Sequence, residues 1–113
     1  MQHNFDITNN GEIVDALIKG DEATFAMVYK SYFTSLRNYA ASILSDQEAA
    51  YEIVQNLFVS LWENRKKLDR EKSLRNYLLR RSLAVVFFHS VSFLFPFSNQ
   101  IFTLFLVQFV DSL

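Results

Sequence analysis

Cysteine is absent from the 113 residues, which excludes disulfides and thiolate metal sites and points to a reducing cytoplasm. Proline occurs once and glycine twice, too few for the turns of an all-β fold, so helices are favoured. The chain does not open with a basic stretch followed by an apolar one, and no secretory signal peptide is expected. His3 and His89 stand alone, with no second ligand three or four residues away, so a metal site is not expected. Lys19-Gly20-Asp21 lacks the paired glycines and the Lys-Ser/Thr step of a phosphate-cradling loop. No serine, histidine and aspartate set suggests itself. The chain reads as neither an enzyme nor a cofactor binder.

Charge is present but segregated. Residues 1–64 carry 3 basic and 9 acidic side chains, a balance of −6. Residues 65–81 carry 8 basic and 2 acidic ones, a balance of +6, and residues 82–113 carry only Asp111. Opposite patches steer different surfaces toward different partners, so the basic stretch suits a polyanion and the acidic part a protein. An ordinary solvated helix end accounts for the basic stretch equally well at this level.

Apolar spacing supplies the elements. Residues 1–10 are polar and unpatterned, as in a frayed terminus. Asn10 is placed to cap a short helix bearing Ile13, Val14, Leu17 and Ile18, with Gly20 just past its end. Asp21 and Glu22 favour a second start, followed by Phe25, Val28, Tyr29, Tyr32, Phe33, Leu36, Tyr39, Ala40 and Ile43 at sustained helical spacing. Ser45-Asp46-Gln47-Glu48 fits a capping box. The helix it opens, over residues 46–64, carries Ile53, Val54, Leu57, Phe58, Leu61 and Trp62 on one side and Glu52, Gln55, Asn56 and Glu63 on the other. Ser73 caps a fourth helix with Leu74, Tyr77 and Leu78 inward, and there the pattern breaks, because the next inward positions are Arg81 and Ser82. These elements predict an all-α bundle of three or four helices over residues 11–81, followed by an apolar tail.

Three strings, LIKGDEATFAMVYKSYF (17–33), LSDQEAAYEIVQNLFVSLWENR (44–65) and SLRNYLLR (73–80), stand in order over about two-thirds of the chain. This ordered set resembles region 2 of the extracytoplasmic-function sigma factors, in the style of Bacteroidetes members. The resemblance implies a transcription-initiation subunit that binds core RNA polymerase and contacts the promoter −10 element. By residue, it assigns docking on the clamp helices of the β′ subunit to Glu48, Glu52, Gln55, Asn56 and Trp62, with Glu63 beside them. It assigns the DNA contact to Arg70, Lys72, Ser73, Arg75, Asn76, Tyr77 and Arg80, where cations would follow a phosphate path and planar groups meet unstacked bases. An anti-sigma factor would be a further partner. By their spacing alone, Trp62 and Tyr77 suit the core as well as a surface.

From Leu83 the composition changes. Residues 83–110 hold no Lys, Arg, Asp or Glu, and 8 of the 12 phenylalanines lie at or after Phe87. The polar continuation of the family and its helix-turn-helix for the −35 element are not seen, so a truncated or frame-shifted product is expected. The runs 83–97 and 101–110 are each short of the about 20 apolar residues that span a bilayer, which favours packing over insertion. The competing reading is a membrane-associated helical protein anchored through residues 83–110, with residues 65–81 on anionic headgroups.

Overall fold

The computed structural model describes residues 9–94, with side chains through 91, and Asp111. The expected frayed terminus lies almost wholly, and the tail from 95 to 110 entirely, outside the described residues. Four helices are found among those described: α1 (Asn10–Ile18), α2 (Glu22–Leu44), α3 (Gln47–Glu63) and α4 (Leu74–Leu94), with a short 3-10 turn at Arg65–Lys67 and no strand. This is the all-α bundle that the spacing predicts. None of these helices is long and apolar enough to cross a membrane.

Helices α2 and α3 form an antiparallel hairpin. Phe25 meets Trp62 with ring centroids 5.1 Å apart, Phe33 meets Tyr51 at 5.4 Å, and Ala40 and Ala41 share a cluster with Ala50. The link between the two helices is brief, and it overturns the capping box. Ser45 is needed to stop α2: it adopts the left-handed conformation, φ 54°, and its N–H reaches Ala41 O at 2.8 Å. Asp46 therefore caps α3, its carboxylate accepting from Ala49 N at 3.0 Å. Gly20 does follow α1 at φ +86°, where a side chain would be strained.

Val14 and Leu17 of α1, Val28, Phe33 and Leu36 of α2, Val54, Leu57, Phe58 and Leu61 of α3, and Leu74 and Leu78 of α4 form the main core. A second cluster joins Ala40, Ala41, Ala50 and Ile53 to Val86. The inner row of α4 thus runs Leu74, Leu78, Ser82, Val86, one turn apart, and does not break at residue 81. Ser82 takes the inward position between Leu78 and Val86 at 0 % exposure, its hydroxyl buried without a hydrogen-bond partner among the described residues. The other side of α4 leaves Leu83, Val85 and Phe87 exposed.

Asn10 also departs from expectation. It is the first residue of α1 and caps the distant α4 instead: its Oδ1 accepts from Leu74 N at 2.8 Å, and its Nδ2 donates to Lys72 O at 2.7 Å and Arg70 O at 3.3 Å. One amide thereby ties the end of the connector between α3 and α4 (residues 64–73), together with the first residue of α4, to the N-terminal helix. Asn10→Ala is expected to cost about 1–2 kcal/mol in urea unfolding, the upper range for a lost cap. Exposed Asn9, whose side chain makes no capping bond, should tolerate alanine with little change.

Candidate functional site

Two surfaces collect the residues singled out by sequence. The first is the outward row of α3. Glu48, Glu52 and Asn56 follow one another at four-residue steps and are all exposed, because Ile53, Val54, Leu57 and Phe58 take the opposite side into the core. Gln55 is only partly exposed. Its carbonyl oxygen accepts from the Tyr29 hydroxyl, which leaves the amide N–H groups as its outward donors. Burial first, and Tyr51 second, raise the pKa of the Tyr29 hydroxyl above its ordinary value.

Trp62 is half-buried. Phe25 packs against it edge to face, and the Arg65 guanidinium lies 4.3 Å from the centre of its ring. It thus lies between core and surface. Val59, 53 % exposed and one turn beyond Gln55, was not singled out by sequence. Its signal was an apolar residue at helical spacing among polar ones. Arg37, Glu48, Tyr51 and Glu52 line a shallow hollow beside the row.

The second surface is the connector and the first turns of α4. Leu68 and Leu74 pack inward at either end of this stretch, so the polar side chains between them face out. Ser73 caps α4 as expected, accepting from Asn76 N at 3.1 Å. Lys72, Arg75, Asn76 and Arg80 are exposed. Tyr77 is half-buried against the main core, with the Arg81 guanidinium 5.2 Å from its ring centre. Lys67, Lys72, Asn76, Tyr77, Arg80 and Arg81 line a cleft of about 500 Å³.

Arg70 is placed differently from its neighbours. Its Nε bonds both oxygens of Asp15, at 3.0 and 3.2 Å, and Glu71 lies 3.6 Å from its Nη1. The hydrogen bond to Asp15 and that carboxylate's charge raise the Arg70 pKa above its ordinary value. The guanidinium rests over Gly11, where a Cβ would come within 2.6 Å of it. Arg70 is therefore engaged within the molecule, clasping α1.

Among the described residues no group of three or more His, Asp or Glu side chains is arranged to hold a metal. The chemistry on offer is recognition: an acidic, amide-bearing row on one helix and a cationic cleft with a tyrosine in its wall. A family model described as Sigma-70 region 2 matches residues 28–84, half of the chain, covering α2 from Val28 onward, α3, the connector and the first half of α4. No curated protein and no solved structure matches the chain.

Proposed function

The chain belongs to the sigma-70 region 2 family, a family of non-enzymatic transcription domains, and from that premise we propose that it is a sigma subunit of the extracytoplasmic-function class. In this reading it works in the cytoplasm. The α3 row of Glu48, Glu52, Gln55 and Asn56, edged by Trp62, docks on the β′ clamp helices of core RNA polymerase. The cleft at the start of α4 takes promoter −10 DNA through Lys72, Ser73, Asn76, Tyr77 and Arg80, with exposed Arg75 beside it and Arg70 bracing the connector. An anti-sigma factor that covered the α3 row would compete with polymerase.

The observation that carries the reading is the division of α3. Six of its apolar side chains are locked in the main core or the alanine cluster, while Glu48, Glu52 and Asn56 remain exposed in register. A helix so held presents a rigid row, and its charges steer and orient a basic partner.

Binding of the full chain to a purified β′ clamp-helix fragment tests this. Glu52→Lys places a like charge opposite a basic partner and is expected to weaken binding by about tenfold or more. Gln55→Ala should cost about three- to tenfold, the range of a net hydrogen bond. Unchanged affinity in both variants, with unfolding curves matching the parent, would remove the docking face.

A further inference from the structure

Asp111 is the sole acidic side chain in the sequence after Glu71. It lines the same cleft as Lys72, Asn76, Tyr77 and Arg80, and its Oδ1 lies 3.3 Å from Arg81 Nη2. We propose that Asp111 is a built-in competitor at this cleft, a carboxylate that occupies Arg81 until a nucleic-acid phosphate displaces it. The inference deepens the DNA contact proposed above and rests on it.

The chemistry of exchange is direct. A carboxylate and a phosphodiester both offer anionic oxygens to a guanidinium, and one Nη2 geometry serves either. Arg81 also stands against the Tyr77 ring, so the position Asp111 holds adjoins an aromatic wall on which a base would rest. The strength of the contact suits a brake and not a lock. The Arg81 and Asp111 side chains are 31 % and 56 % exposed, and exposed ion pairs are weak and screened by salt. A strand bringing several phosphates to Lys72, Arg75, Arg80 and Arg81 outcompetes a single carboxylate, while an isolated anion gains little. The contact thus discriminates against weak, non-specific anions. It adds Arg81 to the cleft's working cations, a residue that spacing alone assigned to the interior.

Fluorescence anisotropy of labelled oligothymidylate with the full chain at low salt provides the test. Asp111→Asn is expected to bind about two- to fivefold more tightly than the parent, the factor that an exposed ion pair supplies. Glu22→Gln, which removes an equal charge from an exposed position at the start of α2, should gain well under twofold. In an Arg81→Gln background Asp111→Asn should bring no gain, because nothing is left for the carboxylate to occupy. Equal gains from Asp111→Asn and Glu22→Gln, or a gain that survives Arg81→Gln, overturn the brake while leaving the DNA contact standing. Absence of binding by parent and variants alike removes the DNA contact, and the brake with it.

Discussion

Phe58→Ala is expected to destabilise the bundle by about 3–5 kcal/mol, the range for a large aromatic deleted from a close-packed core. The side chain is 1 % exposed and sits where three rings of α2 converge. Phe25, Tyr29 and Phe33 have centroids 6.3, 5.0 and 6.2 Å from it, and their four-residue spacing puts all three on one side of α2. Such aromatic pairs contribute about 0.5–1.5 kcal/mol each beyond the area they bury. Tyr29 also holds Gln55, so the cavity would loosen the candidate docking row from beneath. Small domains have only about 5–15 kcal/mol in total, and the variant should therefore unfold early in a urea titration. Val59→Ala, next in sequence but 53 % exposed, should stay within about 0.5 kcal/mol of the parent. A midpoint for Phe58→Ala close to that of Val59→Ala would show that the ring cluster is not the centre of the core.

The hairpin was legible because its signals are local. The α2 stripe and the two faces of α3 follow from residues within a few turns of one another, and the exposed polar row is the complement of the same periodicity. Misreadings arose wherever a residue answers to a distant partner. Asn10 looked like a cap for its own helix, yet its amide bonds lie 60 or more positions away, at Arg70, Lys72 and Leu74. Arg70, read as a cation for DNA, also has a distant partner that its neighbours do not show, Asp15, 55 residues earlier. The capping box slipped by one residue because Ser45 had to close α2 before Asp46 could open α3. At α4, spacing asked for bulky apolar residues at 81 and 82. A fully buried serine stands at 82 instead, and Val86, one turn on, joins Ala40, Ala41, Ala50 and Ile53. Which side of α4 turns inward is set by α2 and α3 and is invisible from α4 alone.

The clasp of Arg70 on Asp15, beside the cations of the next turns, makes a strong functional prediction. Replacing Lys72, Arg75 and Arg80 together by glutamine should flatten the salt dependence of single-strand binding, lowering the slope of log K against log salt by about 2, since each lost phosphate contact removes about 0.7. One decade below molar salt, that difference amounts to on the order of a hundredfold in affinity. Stability should fall by no more than about 1 kcal/mol, because all three side chains are exposed and exposed charge pairs contribute little. Arg70→Gln should behave in the opposite way. It frees Asp15 and loosens the connector, so it lowers the unfolding midpoint while leaving the salt slope near that of the parent. Anisotropy titrations at several salt concentrations, paired with urea curves, separate the two. An unchanged slope in the triple variant would mean that the strand does not follow these cations at all. A slope that falls by about 0.7 in Arg70→Gln would mean that the Asp15 clasp opens when DNA arrives, and that Arg70 belongs to the contact after all.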